Sequence, residues 1–147
     1  MRLSTKGHYG MHAMMDLGSR YGQGSVLLRD LCEVHGFSEK YVEQLLRSLR
    51  QAGLVESVRG AKGGYWLSRP PEEITILEII EALEGELHQL PSKCKSDCVK
   101  SDKCAMLEIW WDSTEAMRQV LDRKTLADLL RRQQEMDQAN IAPDYSI

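Results

Sequence analysis

Residues 38–68 read SEKYVEQLLRSLRQAGLVESVRGAKGGYWLS. Ser38 can accept a hydrogen bond from the free N–H groups that begin a helix, and Gly53 can end the same helix in a left-handed conformation. Apolar side chains between them recur at three- and four-residue steps, which is the spacing of one buried helix face: Tyr41, Val42, Leu45, Leu46 and Leu49. The segment therefore opens with an amphipathic helix whose other face is free for contact.

The polar face of this helix carries cations together with side chains that can read the edges of DNA bases: Lys40, Glu43, Gln44, Arg47 and Arg50. Cations pair with backbone phosphates, whereas glutamate suits cytosine and glutamine suits adenine. An ordinary solvated helix face has a similar composition. The helix alone therefore leaves both interpretations open.

Residues 54–58 and 65–67 predict two short strands that run back beside each other after the helix. The loop between them contains three glycines, which permit positive φ and a close approach to another surface. Arg59 and Lys62 add positive charge to this loop. A plain flexible hairpin is the alternative, but a helix followed by a basic wing favours contact with a DNA backbone or minor groove.

The same segments resemble those of the IscR, NsrR and RirA group of bacterial winged-helix regulators. The resemblance rests on YVEQLL at 41–46, LRQAGLV at 49–55, SVRG at 57–60, GGY at 63–65 and the opening MRLSTKG at 1–7. It covers nearly the whole chain and weakens after about residue 135. It implies a mainly α fold with a small β wing, built from a winged helix-turn-helix DNA-binding domain plus a long dimerisation helix. It also implies that Glu43, Gln44 and Arg59 touch DNA.

Further helices complete the predicted DNA-binding domain, which spans residues 1–85. The first helix begins at Ser4 or Thr5 and lasts to about Tyr21, and a short one covers residues 27–34. Residues 75–78 match a capping box at the start of another helix, which Gly85 can end.

Charge is distributed unevenly along the chain, whose net charge is −3. Residues 1–70 hold ten Lys and Arg against six Asp and Glu, a net charge of +4, whereas residues 71–147 hold nine against sixteen, a net charge of −7. Cations gathered in the half with the helix and wing are expected for DNA binding, and the acidic half needs another role.

No apolar run approaches the roughly 20 residues needed to span a bilayer, and no signal segment opens the chain. We therefore expect a cytoplasmic protein without a membrane partner. Cysteines in a reducing compartment are poor disulfide candidates, so a group of them points to metal or redox chemistry. Cys32 lies at core spacing among apolar residues and is predicted to be a small buried side chain.

Three cysteines fall within residues 86–104, where the apolar pattern vanishes: Cys94, Cys98 and Cys104. Thiolates at this spacing can wrap one soft metal centre. The resemblance implies that this loop binds an iron-sulfur cluster, either 2Fe-2S or 4Fe-4S. A zinc site, a thiol switch and a tether with chance cysteines are the alternatives.

Three cysteines leave a four-coordinate site one ligand short. His8 and His12 are four residues apart, so they share one face of the first helix, where both imidazoles can reach one metal. A pair of surface histidines is the alternative interpretation.

The resemblance indicates how the missing ligand is supplied. IscR-type proteins have a histidine three residues after the third cysteine, but that position here is Leu107. NsrR-type relatives use a carboxylate of the partner subunit at the place of His8, and others in the group use residues matching both His8 and His12. The resemblance therefore implies a histidine from the second subunit as the ligand. Weaker candidates are Glu108, His88 and an exogenous thiol or water.

Residues 105–137 predict a dimerisation helix and a short terminal helix, followed by a flexible tail over 138–147. The dimerisation helix has a wide apolar stripe that no remaining domain can cover: Met106, Ile109, Trp110, Met117, Val120 and Leu121. A stripe of this kind favours pairing with a second copy of the chain. We therefore expect a homodimer.

The expected function is that of a dimeric regulator that represses transcription at a palindromic operator in double-stranded DNA. It would sense redox state, nitric oxide or iron through the iron-sulfur cluster. A winged-helix regulator that uses its cysteines as a zinc site or thiol switch is the second interpretation. An iron-sulfur electron carrier or enzyme is the third, and no substrate-pocket motif, phosphate loop or acid-base pair supports it. No enzymatic activity is expected.

Overall fold

A computed structural model describes residues 3–87 and 104–141 of the chain. In these two ranges the helices are α1 (Thr5–Ser19), α2 (Leu28–His35), α3 (Glu39–Gln51), α4 (Ile76–Glu84), α5 (Ala105–Asp122) and α6 (Leu126–Ile141). A wing of strands β1 (Val55–Val58) and β2 (Gly64–Leu67) follows α3, and a short 3₁₀ helix (Pro71–Glu73) leads into α4. The prediction of a mainly α fold with a small β wing is confirmed.

The helix α3 forms where the apolar spacing predicted it. The hydroxyl of Ser38 accepts a hydrogen bond from the backbone N–H of Tyr41 (3.4 Å) at its start, and Gly53 takes a φ of +75° just after its end. Its apolar face is buried against α1, α2 and α4, with Tyr41 half-buried at the edge: Val42, Leu45, Leu46 and Leu49. The polar face is consequently turned away from the core.

The wing is an antiparallel pair in which Val55 lies opposite Leu67. Its sheet is widened by Val26, which exchanges two backbone hydrogen bonds of 2.8 Å with Tyr65. Gly64 permits this close approach, because its φ is +148° and a β-carbon there would lie 2.6 Å from the carbonyl oxygen of Val26. The wing is thus fixed to the segment that precedes α2.

The N-terminus of α1 is capped by a side chain from the end of α4. One carboxylate oxygen of Glu84 accepts hydrogen bonds from the backbone N–H groups of Ser4 and Gly7, both at 3.1 Å. It also accepts from the hydroxyl of Ser4. A negative charge at this position stabilises a helix N-terminus. The start of α1 is therefore fixed to the end of α4.

Two capping boxes lie where α4 and α6 begin. Thr75 and Glu78 form the predicted box at the start of α4, and residues 125–128 form a second at the start of α6. Backbone hydrogen bonds of 2.8 Å link Ile76 to Lys124 and Leu126 to Ile74. These bonds bring the two helix starts side by side.

The carboxylate of Glu78 holds its position in this junction as an anion. Burial raises the pKa of Glu78, but hydrogen bonds from Thr75 and the nearby Arg69 guanidinium outweigh that effect, so the pKa lies below its ordinary value of 4.5. Arg69 donates a hydrogen bond of 2.8 Å to it. The junction therefore keeps its capping anion at neutral pH.

Some predicted boundaries differ from the structure. The terminal helix was expected to end near residue 137, but α6 continues to Ile141. The predicted loop cysteines Cys94 and Cys98, the candidate ligand His88 and residues 142–147 of the predicted tail lie outside the described residues.

No helix within the two described ranges is both long and apolar enough to cross a membrane.

Candidate nucleic-acid interface and metal ligands

The polar face of α3 is exposed at every position predicted to contact DNA: Lys40, Glu43, Gln44, Arg47 and Arg50. Exposure follows from the buried stripe on the opposite side of the same helix. The side chains at residues 43 and 47 are one helical turn apart and so lie on one line along the surface. This face can enter a groove without disturbing the core.

The wing presents its predicted cations in the loop between β1 and β2. Arg59 and Lys62 are both exposed. Gly60 takes a φ of +118°, which favours glycine, and a β-carbon on Gly63 would lie only 2.3 Å from the carbonyl oxygen of Val58. Glycine thus makes a tight basic loop possible at this end of the sheet.

The helix and the wing share a polar cavity of about 270 Å³. Arg47, Arg50 and Arg59 line it, and we call this cavity the arginine notch. Ser57 and Tyr65 of the wing also line the notch, together with Glu43 of α3. The predicted contacts of the helix and of the wing therefore converge on one surface.

Arg50 is held in place across the notch. Its guanidinium donates a hydrogen bond of 2.9 Å to the hydroxyl of Ser57 in β1. A second side-chain hydrogen bond joins β2 to β1, because the indole N–H of Trp66 donates to the carboxylate of Glu56 at 3.2 Å. The hydrogen bond between Arg50 and Ser57 ties the last turn of α3 to the wing.

The two predicted histidine ligands lie next to each other on α1. The ring centroids of His8 and His12 are 4.6 Å apart, in an edge-on arrangement. His8 is exposed, whereas His12 is half-buried and its ring lies 5.0 Å from that of His35. His35 in turn bonds to the carboxylate of Asp16 at 2.6 Å. Only His8 therefore faces open solvent.

Burial favours the neutral form of His12. It lowers the pKa of His12 from the ordinary value of 6.5, and the neighbouring rings of His8 and His35 lower it further, while Asp16 opposes them. The neutral imidazole is the form that binds metal ions.

Cys104 is the described member of the predicted cysteine set. It is half-buried at the N-cap position of α5 and forms no disulfide, and its side chain makes no capping hydrogen bond. Glu108, the weaker candidate, is exposed one turn further along. No three His, Cys, Asp or Glu side chains within residues 3–87 and 104–141 are arranged to hold a metal ion.

Cys32 has the structural role that was predicted from its spacing. It is buried in the core, and burial raises the pKa of its thiol, with Glu39 adding to the effect. Such a thiol is unreactive at neutral pH.

Several side chains at these sites were missed by the sequence analysis. Asp16 and His35 join the histidines, and Ser57 joins the arginines, through contacts between residues distant in sequence. The sequence contains no local signal for these contacts, because each depends on how separate elements pack.

Comparison with known proteins identifies the family. Residues 3–132 match the model of the Rrf2 family, described as an iron-dependent transcriptional regulator. The chain is 40% identical over 129 residues to the transcriptional regulator CymR of Bacillus subtilis, covering 88% of this chain and 89% of CymR. It is 37% identical over 137 residues to the regulator IscR of Klebsiella pneumoniae, covering 93% of this chain and 84% of IscR.

Solved structures agree with these sequence relatives. The structure of B. subtilis CymR, titled the global cysteine regulator of that organism, has a TM-score of 0.75 and 38% identity, covering 90% of this chain and 98% of that one. The structure of T. potens IscR has a TM-score of 0.74 and 41% identity, covering 99% and 95%. The resemblance drawn from the sequence is confirmed, and both of these relatives are transcriptional regulators. The chain therefore belongs to the Rrf2 family of winged-helix, DNA-binding transcriptional regulators.

Proposed function

We propose that two copies of this chain bind a palindromic operator and repress transcription, and that an iron-sulfur cluster sets their affinity for DNA. The signal is redox state, nitric oxide or iron supply. The observation that carries the proposal is the common exposed surface of α3 and the wing, where both elements present the side chains expected to touch DNA.

The surface divides into base-reading and phosphate-pairing side chains. Glu43 and Gln44 are exposed near the middle of α3, where they can accept from cytosine and pair with adenine in the major groove. Arg59 and Lys62 lie in the wing loop, where a cation meets the phosphate backbone or the minor groove. The first pair would select sequence, and the second would supply affinity.

The exposed face of α5 supports the homodimer. Met106, Ile109 and Val120 are 70%, 67% and 63% exposed, and Trp110 is 41% exposed. Large apolar side chains on one helix face are costly to leave in water. A second copy offers the same face, so an isologous contact covers both.

The donors that the structure describes fit an iron-sulfur cluster. Cysteine sulfur and imidazole nitrogen both ligate iron in such clusters. Cys104 offers a free thiol at the start of α5, and His8 offers an exposed imidazole that a second chain can reach. We assign the cluster to Cys94, Cys98 and Cys104 of one chain and to His8, rather than the more enclosed His12, of the other. When bound, the cluster supplies a redox-active centre that oxidants and nitric oxide alter.

Contacts near the C-terminal end of α5 offer a route to the DNA-binding domain. Arg118 of α5 forms an ion pair with Glu81 of α4, and the same carboxylate accepts from the backbone N–H of Leu87 at 3.4 Å. Glu84, one turn further along α4, caps α1. A displacement of α5 would therefore be transmitted to both α4 and α1.

A thiol switch or zinc site in place of the cluster is the second candidate. It is favoured by the relative CymR, whose structure is titled a global cysteine regulator. The colour of protein purified without oxygen separates the candidates, because zinc sites are colourless and iron-sulfur clusters absorb visible light.

Duplex binding by two variants tests the DNA-reading surface. We expect Arg59→Ala to weaken binding to every duplex and to flatten its salt dependence, because it removes a phosphate contact. We expect Glu43→Ala mainly to reduce sequence discrimination. The difference in binding free energy between the preferred base and the other bases at the position that Glu43 contacts should fall by about 1–3 kcal/mol. Arg132→Ala on α6, an exposed arginine paired with Glu135, is the control and should leave binding unchanged. Equal loss of binding to all duplexes by Glu43→Ala would contradict the assignment.

A further inference from the structure

The first two turns of α1 lie directly against the last turn of α4. A β-carbon on Gly7 would overlap a carboxylate oxygen of Glu84, and one on Gly10 would overlap a methyl group of Leu83. Glycine at both positions is therefore what allows the two helices to approach so closely. His8 lies between these two glycines in the sequence, and its side chain is exposed.

The beginning of α1 has little stability of its own. Glycine is a poor helix former, and Gly7 and Gly10 both fall within the first two turns. The first turn of a helix also leaves backbone N–H groups without partners inside the helix. His8 belongs to this weak part, because its N–H makes the first hydrogen bond along the helix, to the carbonyl of Ser4 at 2.9 Å. The position of His8 therefore depends on how the helix end is capped.

Glu84 supplies the cap from outside the helix. One of its carboxylate oxygens accepts from the backbone N–H groups of Ser4 and Gly7, both at 3.1 Å, and from the hydroxyl of Ser4. That hydroxyl in turn accepts from the N–H of Gly7 at 3.2 Å. The negative charge also suits the positive end of the helix. Glu84 thus holds the turn that carries His8.

Glu81, three residues earlier on α4, holds a different part of the chain. Its carboxylate pairs with Arg118 of α5 and accepts a hydrogen bond from the backbone N–H of Leu87 at 3.4 Å. Leu87 precedes all three of the predicted cysteine ligands in the sequence. The end of α4 therefore fixes both the helix that carries His8 and the start of the segment that leads to the cysteines.

We propose that Glu84 is a positioning residue for the iron-sulfur cluster, because its cap on α1 holds in place the His8 imidazole that one subunit offers to the cluster of the other. This inference rests on the proposed function and adds to it a residue outside the ligand set. Groups that orient a metal ligand commonly change metal affinity by about 10- to 100-fold when they are removed. Loss of the Glu84 carboxylate should therefore loosen the cluster.

The test uses full-length protein purified without oxygen. It records the visible spectrum and the rate at which an iron chelator removes the visible absorption. We expect Glu84→Ala to change the spectrum in the same direction as His8→Ala and to raise the rate of loss by about tenfold. Adding Glu84→Ala to His8→Ala should change neither quantity further, because a residue that acts through His8 has no effect once that ring is gone.

Three further variants separate positioning from stability. Gly7→Ala places a methyl group against the Glu84 carboxylate, so it should reproduce the effect of Glu84→Ala, and it replaces that variant if the latter does not fold. Glu84→Gln keeps an oxygen that can accept from Ser4 and Gly7, and it should retain most of the unmodified behaviour. Thr75→Ala is the matched control, because it removes an N-cap hydrogen bond of 3.2 Å at the other end of α4. It should leave the spectrum and the rate unchanged.

Hydrogen exchange of the same preparations measures the cap itself. Protection of the Gly7 amide should fall by about fivefold in Glu84→Ala, the usual effect of losing one capping side chain. It should stay the same in Thr75→Ala, which leaves the start of α1 intact. Unchanged protection in Glu84→Ala would contradict the capping step.

The outcomes separate this inference from the function on which it rests. An unmodified protein without visible absorption contradicts the proposed function and the role of Glu84 with it. A coloured protein whose Glu84→Ala and Gly7→Ala variants keep the unmodified spectrum and rate contradicts the role of Glu84 alone. Effects of Glu84→Ala and His8→Ala that add up in the double variant, or an equal effect of Thr75→Ala, likewise overturn the inference.

Discussion

His8 and His12 share one face of α1, but their surroundings differ. His8 is exposed and His12 is enclosed between His8 and His35, with His35 bound to Asp16. The spacing of four residues predicts that the rings of His8 and His12 are neighbours. It contains no information about the ring of His35, which lies on another helix. Because His8 is the exposed ring of the two, it is the one that we propose as the ligand offered to a second subunit.

At the residue scale, we predict that His8→Ala changes the visible absorption of the anaerobically purified protein, while His12→Ala largely preserves it. The reason is that the His8 imidazole is the one open to a second chain. Absorption spectra at equal iron content measure the effect. An unchanged spectrum for His8→Ala would remove this histidine as a ligand, and Glu108→Ala would then test the next candidate.

The elements that local chemistry specifies were predicted well. The capping box at Thr75 and Glu78 and the buried face of α3 follow from neighbours within one or two turns, and both are observed. The bridge between Val26 and Tyr65 and the cap that Glu84 provides for α1 were not predicted. These contacts join residues 39 and up to 80 positions apart, so only the packed fold reveals them.

The end of α6 shows why polar composition misled the prediction. The sequence becomes polar after residue 135, but its side chains support a helix: Arg132 pairs with Glu135, and Gln133 donates to Asp137 at 2.8 Å. No proline lies between residue 135 and Pro143. In the last turns of α6, polar composition marks exposed side chains and not the end of the helix.

At the element scale, we predict that Thr75→Ala lowers the free energy of unfolding by about 1 kcal/mol, the usual effect of losing an N-cap side chain. Its hydroxyl accepts from the backbone N–H of Glu78 at 3.2 Å at the junction of α4 and α6. Urea unfolding at neutral pH measures the change. Thr75→Ser keeps the hydroxyl and should retain most of the stability, and equal destabilisation by both variants would contradict the capping role.

At the scale of the whole molecule, α5 connects the proposed dimer contact with the DNA-binding domain. Its N-cap residue is Cys104, it presents the exposed apolar face, and its Arg118 forms an ion pair with Glu81 of α4. A second copy placed on that face would set the spacing of two recognition helices. Palindromic half-sites must lie about one helical turn of DNA apart, roughly 34 Å. A small rotation at α5 can therefore separate one DNA-binding domain from its half-site.

We predict that Ile109→Glu converts the dimer to a monomer, because a carboxylate would be buried without a partner in the paired face. Sedimentation equilibrium measures the mass. Val34→Glu is the matched control, since Val34 is 60% exposed on α2, comparable to the 67% exposure of Ile109. If the unmodified protein is monomeric, or if the Ile109→Glu protein stays dimeric, the apolar face of α5 is not the dimer contact.

The most direct measurement is operator affinity of protein purified without oxygen, before and after treatment with nitric oxide, oxidant or iron chelator. Our account predicts a coloured protein that contains iron and sulfide, with an operator dissociation constant that changes by about tenfold or more on treatment. A colourless, metal-free protein whose operator affinity stays constant through all three treatments would contradict it.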